Sequence, residues 1–326
     1  MFCLVAFGEA SVIQDEVRRR AVHALPSRPG RRARTLVWAM VLSALFTPSL
    51  SAAQTTPHLK RVGTIRTTPF VHTRISMDDG EGSAYVPRDH SLWLADDQSD
   101  AIFEVARSTG NLKRVIRTQA FQSTRRFGGG PRAGGNRTED FESMAYDAAN
   151  DVLYVFSGKC CMGTVRPTVF RLTRRRGVLR LDSWQPLKRT SDFTAAGWNS
   201  ADHRLYVAVD SDLRTYNYPQ NALGQPFQIS DLTEILGLGF SRDGSEMYAV
   251  TNGEVLYAVD WPSQTIIPGW SFDLTPFGVL DSRAVERIGG RFFVLDGASR
   301  RGDDRLEYAV FESDVMSCER RRLSQA

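Results

Sequence analysis

The chain has little cysteine and no lasting excess of charge. Four cysteines in 326 residues are too few for a disulfide-dense scaffold. The formal charge is +4, but residues 1–53 hold seven of the 41 basic residues and three of the 37 acidic ones, so the remainder is formally neutral. A nucleic-acid-binding surface needs a basic excess within its domain. We therefore expect no nucleic-acid partner.

Long apolar runs are also lacking, and the longest one is short for a membrane span. A positive segment at residues 30–34 precedes an apolar stretch at 35–50, which Pro48 interrupts, and the small residues Ser51 to Ala53 follow. This order is typical of an export signal. A retained anchor is the alternative, although about 16 apolar residues are short for a span. We predict secretion after removal of residues 1–53 near Ala53, a single domain at 54–316 and a polar tail at 317–326.

Beyond residue 54, long helical periodicity is absent and a repeat takes its place. Five segments contain a small residue followed by a bulky one, and the centre of an aromatic triplet comes nine residues after the small residue. The five pairs are Ala84 and Trp93, Ala145 and Tyr154, Gly197 and Tyr206, Gly239 and Tyr248, and Ala284 and Phe293. Turn-forming residues lie between the members of each pair. Each segment therefore predicts a β-hairpin.

Further apolar stretches follow each hairpin. A third stretch is found at Ile102–Val105, Val169–Leu172, Leu213–Tyr216, Val255–Val259 and Leu306–Phe311, and a fourth at Leu112–Ile116, Val178–Leu181, Phe227–Ile229 and Ile266–Phe272. Four antiparallel strands per unit are typical of a propeller blade. The last unit lacks a fourth stretch, which Leu59–Ile65 can supply. The sequence predicts an all-β fold, a β-propeller of about five blades, or six if Val62–Ser76 forms a degenerate blade.

Acidic residues recur at the start of the first strand of these units. Five residues before the small residue stand Asp79, Asp140, Asp192, Glu234 and Val279, and three before it stand Glu81, Glu142, Thr194, Leu236 and Asp281. The first strand of a blade is innermost, so these positions should meet at one mouth of the central channel. Converging carboxylates repel one another unless a cation, a proton or a basic partner relieves them.

Three roles are open for these carboxylates. They can accept backbone N–H bonds and fix the register between blades, or they can hold Ca²⁺, which prefers oxygen ligands. They can also act as general acid or base on a substrate, for which Glu81 and Glu142 are the candidates. Arg283, next to the small residue of the fifth unit, could neutralise part of the cluster and so weakens the metal interpretation.

One unit resembles a known family. Leu92–Asp97, Ile102–Val105 and Ser108–Gly110 resemble blades of the NHL-type and gluconolactonase-like propellers, which include calcium-dependent lactonases. The resemblance implies a metal-ligating glutamate at Glu81 and a late-blade aspartate at Asp281, to which we add Glu142 as a candidate ligand. Where that family has a metal-binding asparagine, this chain has Ile235–Leu238.

Histidine and serine chemistry are disfavoured. His90 and His203 fall in corresponding hairpin turns, where exposure is expected, so a zinc site is not predicted. No Gly-x-Ser-x-Gly motif occurs, which disfavours a serine hydrolase.

A glycine- and arginine-rich loop at residues 119–139 leads to Asp140. It includes Arg125 and Arg126, and it is either a solvated loop or a lid that attracts anionic ligands.

The adjacent residues Cys160 and Cys161 could form a vicinal disulfide, or one of them could pair with Cys318.

These observations favour an exported, monomeric β-propeller that binds a small molecule, a glycan or a protein at its channel mouth. The predicted ligand-binding residues are Asp79, Asp140, Asp192, Glu234, Arg283, Arg125 and Arg126. The alternative is a Ca²⁺-dependent hydrolase of lactones or phosphate esters, in which Glu81, Glu142 and Asp281 bind the metal and a bound water is the nucleophile.

Overall fold

Strands make up nearly all of the regular structure in the computed structural model. It describes residues 57–67, 77, 79–97, 99, 101–117, 141–158, 167–187, 193–209, 212–297 and 306–313, all within one compact unit, Pro57–Ser317. The strands are β1 (Leu59–Arg66), β2 (Gly80–Val86), β3 (Ser91–Asp96), β4 (Ala101–Ala106), β5 (Leu112–Arg117), β6 (Phe141–Asp147), β7 (Val152–Ser157), β8 (Thr168–Arg175), β9 (Val178–Pro186), β10 (Phe193–Asn199), β11 (Arg204–Val209), β12 (Asp212–Asn217), β13 (Ala222–Leu223), β14 (Ile235–Phe240), β15 (Glu246–Thr251), β16 (Val255–Asp260), β17 (Thr265–Asp273), β18 (Ser282–Ile288), β19 (Arg291–Asp296) and β20 (Glu307–Ser313). Within these ranges, no helix is long and apolar enough to cross a membrane.

The strands form five four-stranded antiparallel sheets, which are the blades of a β-propeller. Blades 1 to 4 are β2–β5, β6–β9, β10–β13 and β14–β17 in chain order. Blade 5 has the order β1-β20-β19-β18, so the first strand of the domain completes the last blade. The predicted five blades and the predicted closure by Leu59–Ile65 are both confirmed. The six-blade alternative was wrong, because Val62 and the residues up to Arg66 belong to blade 5.

The fourth strand of blade 3 differs from the prediction. β12 pairs with Ala222–Leu223, whereas the predicted Phe227–Ile229 makes only an isolated bridge through Phe227 to Leu213. The chain leaves the sheet after the Gly224 N–H bonds the Thr215 carbonyl, at 2.8 Å. Pro226, two residues after Gly224, has no N–H to continue a ladder. The predicted stretch Phe227–Ile229 therefore marks the place where the chain returns to the blade, and the fourth strand lies earlier, at Ala222–Leu223.

The core lies between the blades. The described residues form five hydrophobic clusters, and each cluster joins two neighbouring blades. Between blades 1 and 2, for example, Trp93 packs in one cluster with Phe141 and Leu153. Blade 5 packs on blade 1 in the same way, through residues such as Leu295 and Leu94. Every blade is therefore stabilised on both faces once the ring is closed.

Close approach of neighbouring first strands gives one testable consequence. A Cβ on Gly82 would lie 2.6 Å from the Ser143 Cα and 2.9 Å from its carbonyl carbon, so backbone would have to move. We expect Gly82→Ala to lower the free energy of unfolding by about 2 kcal/mol, the usual cost of overpacking. Gly63→Ala in β1 is the matched control, because its Cβ would meet nothing within 4 Å. Urea denaturation of both variants checks this, and equal stabilities would contradict it.

Candidate functional site

The first strands of the five blades surround the channel, and each begins with a β-bulge. Neighbouring first strands contact one another around the ring in the order β2, β6, β10, β14, β18 and back to β2. The bulge residues are Glu81, Glu142, Thr194, Leu236 and Arg283. A bulge redirects a side chain away from the regular alternation of the strand. These five side chains therefore belong to the same mouth of the channel.

The register of blade 5 corrects the alignment made from the sequence. In blades 1 to 4 the triplet centre pairs with the small residue, as Trp93 does with Ala84. In blade 5 the triplet centre Phe293 pairs with Glu286 instead of Ala284. The cause is the turn, which in blade 5 has only Gly289 and Gly290, both with positive φ. Such a two-residue turn is two residues shorter than the four-residue turn of blade 1.

When the sequence of blade 5 is shifted by two residues in the alignment, its acidic residues correspond to those of the other blades. Asp281, rather than Val279, now corresponds to Asp79 and Glu234. One backbone bond confirms this equivalence. The carbonyls of Asp79, Glu234 and Asp281 each accept an N–H from the residue that follows the second strand, at 2.9, 3.1 and 2.7 Å. Asp140 and Asp192 fall at the same position by sequence but lie outside the described residues.

Arg283 connects two of the acidic residues at the mouth. Its Nη1 lies 2.9 Å from Glu81 Oε2, and its Nε lies 2.7 Å from Asp281 Oδ1. The Arg283 stem passes over Gly297, where an added Cβ would lie 2.6 Å from the Arg283 Cγ. Glycine at this position therefore makes room for the arginine. Since Arg283 is on blade 5 and Glu81 is on blade 1, the ion pair also spans the joint where the ring closes.

Glu81 is the most perturbed carboxyl group at the mouth. Burial raises its pKa to about 8, although the Arg283 charge acts in the opposite direction. The Asp79 charge and a hydrogen bond between the Asp79 and Glu81 side chains raise it further, as does Asp281. At neutral pH Glu81 is therefore mostly protonated and shares its proton with Asp79.

Two further aspartates accept hydrogen bonds from the backbone at the mouth. Asp96 ends β3 and accepts the backbone N–H groups of Asp79 and Ser99, at 3.0 and 2.7 Å. Asp296 ends β19 and accepts the N–H of Asp281 at 3.1 Å. Burial raises the pKa of each to about 6. Sequence reasoning missed both as site residues, although each lies two residues after the triplet of its repeat and could have been found there.

Glu286 is a second residue that the sequence alignment missed. It stands where the other blades carry Ala84, Ala145, Gly197 and Gly239. Its carboxyl group accepts a hydrogen bond from the backbone N–H of Tyr85 in β2, and burial raises its pKa to about 8. β2 has a strand neighbour on one side only, so this N–H lies on its open inner edge. Glu286 therefore bridges blades 5 and 1 below Arg283.

The other predicted residues are more dispersed. Glu142 lies against Gly158 at the end of β7, and Glu234 accepts a hydrogen bond from the Asn252 side chain at 2.9 Å. His90 and His203 are exposed in their turns, as expected. The predicted residues Arg125, Arg126, Cys160, Cys161 and Cys318 lie outside the described ranges.

The described residues of the mouth are not arranged as the calcium site that the family resemblance implies. Across the described ranges, no three or more His, Cys, Asp or Glu side chains are grouped so that they could hold a metal. Glu81 and Asp281 both bond Arg283, whose guanidinium supplies the positive charge between them. Glu81, Glu142 and Asp281 are therefore not assembled as one ligand set.

Comparison with known proteins agrees with this architecture. No protein-family model and no curated protein matches the sequence. A solved glutaminyl cyclase from Myxococcus xanthus is similar, with a TM-score of 0.55 and 11% identity over 79% of this chain and 97% of that one. The fold is a β-propeller. An aldose sugar dehydrogenase from Streptomyces coelicolor (TM-score 0.47, 9% identity, 79% and 98% covered) and a gluconolactonase from Xanthomonas campestris (0.44, 12%, 73% and 88%) are also similar. At these identities the likeness concerns the fold alone.

Proposed function

We propose that this protein is a ligand-binding β-propeller whose channel mouth takes a positively charged group of the ligand. The observation that supports the proposal is the contact of Arg283 with Glu81 and Asp281, in which two carboxyl groups of the mouth hold a guanidinium of the protein itself. Asp79 and Glu234 add carboxylates at equivalent positions, while Arg283 is the one cation at the described bulge positions. The mouth therefore keeps an acidic excess that favours amines over anions.

The ligand class can be tested with two molecules of similar size and opposite charge. We expect calorimetry at pH 7 to show binding of putrescine and none of glutarate. Raising the pH towards 8.5 should strengthen putrescine binding, because Glu81, with its pKa raised to about 8, then loses its proton.

A pair of variants locates that binding. Asp79→Asn removes a mouth charge and should weaken putrescine binding about tenfold, which corresponds to about 1.4 kcal/mol. Glu312→Gln is the control, since Glu312 is exposed on β20 and pairs with Arg291. Equal binding of glutarate, or an Asp79→Asn variant that binds like the unaltered protein, would refute the proposal.

The raised pKa of Glu81 supports a second candidate function, the hydrolysis of lactones or phosphate esters. A carboxyl group that titrates near neutral pH can give a proton to a leaving oxygen, and its partner Asp79 can accept one from the attacking water. A panel of simple lactones and phosphate esters tests this role. Turnover that Glu81→Gln abolishes would support it, and turnover unaffected by Glu81→Gln would exclude it.

We also propose that the chain is exported, on the pattern of residues 30–53. Mass spectrometry of the secreted protein should find an N-terminus near Gln54. An intracellular protein with an intact N-terminus would contradict export.

A further inference from the structure

A groove lies between blades 2 and 3, at the end of the first strands opposite the channel mouth. It consists of two adjoining cavities of ≈ 510 and ≈ 330 Å³. Both are lined by Asn150, Tyr154, Tyr218 and Pro219. Volumes of this size suit a small ligand of one or a few rings. Nothing in the proposed function of the mouth uses this groove.

Aromatic rings form the walls of the groove. The rings of Tyr154 and Trp198 are nearly parallel, with an interplanar angle of 19° and centroids 6.5 Å apart. The Tyr218 ring lies 5.5 Å from that of Tyr154. The indole N–H of Trp198 is buried and has no hydrogen-bond partner within the described part of the chain. The rings of Tyr154, Trp198 and Tyr218 therefore give the groove an apolar lining.

The next blade interface has rings at the same three positions and shows why the groove is open. The strand registers align Tyr206, Phe240 and Trp261 with the three groove residues one blade earlier. The centroid of the Trp261 ring lies 4.7 Å from that of Tyr206 and 5.0 Å from that of Phe240, so the three rings are closely packed. Between blades 2 and 3 the smaller Tyr218 replaces this tryptophan, and the rings stand further apart.

The polar groups of the groove are mostly uncharged or already paired. Arg171 lines the groove, stacks 6.0 Å above the Tyr218 ring, and donates a hydrogen bond to the Tyr154 hydroxyl. Its charge is met by Asp182, at 2.5 Å. The Asp147 carboxylate accepts the backbone N–H groups of residues 149 and 150. The groove therefore offers hydrogen bonds without a strong net charge.

We propose that this groove binds a neutral saccharide. The aromatic walls match the apolar C–H face of a pyranose ring. The Asn150 side-chain amide donates one of its two N–H groups to Asp147 at 2.6 Å and has the other for a sugar oxygen, and Arg171 provides further donors. Arg171, Arg204 and Asp147 are the charged lining residues, and Arg171 shares Asp182 with Arg175, so the net charge of the groove is small and its aromatic walls are the main basis for selecting a ligand.

The test uses cellotriose, maltotriose and chitotriose as probes, with binding followed by calorimetry and by tryptophan fluorescence. We expect saturable binding of at least one of them. Trp198→Phe and Tyr218→Trp should each weaken it tenfold or more, because the first reduces the aromatic wall and the second fills the groove. Both changes install residues that the next interface already carries, so both variants should fold, as circular dichroism can verify.

Phe240→Tyr is the control at the interface of blades 3 and 4, because it keeps a ring packed against Trp261, and it should leave saccharide binding unchanged. Putrescine binding at the mouth should be unaffected by all three variants, so the two proposals can fail independently. The proposal is overturned if the unaltered protein binds none of the three sugars, if the groove variants bind as tightly as it does, or if the control loses binding equally.

Discussion

Replacing Arg283 with methionine should lower the free energy of unfolding by about 3 kcal/mol at pH 7. The guanidinium is the shared partner of Glu81 and Asp281, and its side chain is only 28% exposed. Removing one member of a largely buried ion pair leaves uncompensated charge, here on Asp281 because Glu81 is mostly protonated at pH 7. Such a loss costs about 3–5 kcal/mol, and partial exposure places this case at the lower end. Urea denaturation measures the loss directly. At pH 9 the loss should be larger, because Glu81 then loses its proton and its charge needs the guanidinium.

Two controls separate this effect from general loss of an arginine. Arg291→Met breaks an exposed pair with Glu312, whose side chains are 55% and 45% exposed, and should cost under about 1 kcal/mol. Arg283→Lys keeps the charge but cannot reach two carboxylates with one planar group, so an intermediate loss is expected. If Arg283→Met and Arg291→Met cost the same, Arg283 has no special role at the mouth.

The second large effect is a fall in stability as the pH rises from about 5 to 8. Burial raises the pKa of Glu286 to about 8 from an ordinary value of 4.5, so the folded state holds a proton that the unfolded state has lost. The stabilisation by this proton is complete below the unfolded pKa and is lost as pH rises through the folded pKa. Glu286→Gln mimics the neutral form and should gain on the order of 3 kcal/mol relative to the unaltered protein at pH 8.

Denaturation curves at pH 5, 6, 7 and 8 test this expectation. Glu81→Gln should flatten the pH dependence as well, since the pKa of Glu81 is also raised to about 8. Glu312→Gln, at an exposed position on β20, should leave the slope unchanged. A Glu286→Gln variant with the original slope would show that Glu286 is not buried as a neutral acid.

The sequence was sufficient for the fold because each blade repeats its own local pattern. Alternation and turn residues defined the hairpins, and the missing fourth strand of the last unit predicted closure by β1. The errors arose where a turn changed length. The short turn at Gly289 and Gly290 changes the strand pairing in blade 5 by two residues. A constant nine-residue spacing in the sequence does not reveal this change. In blade 3 the apolar run Phe227–Ile229 forms only an isolated β-bridge to Leu213 and not a fourth strand.

The candidate site was only partly predictable for the same reason. Glu81, Asp281 and Arg283 were expected at the mouth, but their contacts depend on the register across the joint of blades 5 and 1. Glu286 was hidden because the alignment put Ala284 in its place. The groove between blades 2 and 3 depends on ring sizes at equivalent positions in two blades, which become comparable only once the strand pairing is known.

The most direct test of the proposed site at the channel mouth is the titration of the Glu81 carboxyl group. Side-chain carbon NMR can follow it, with the signal assigned by its loss in Glu81→Gln. The structure predicts a pKa of about 8, moved still higher in Arg283→Met because the lowering effect of the guanidinium is removed. A pKa near the ordinary 4.5 in both proteins would contradict the account, since the mouth would then be a solvated acidic rim without a shared proton.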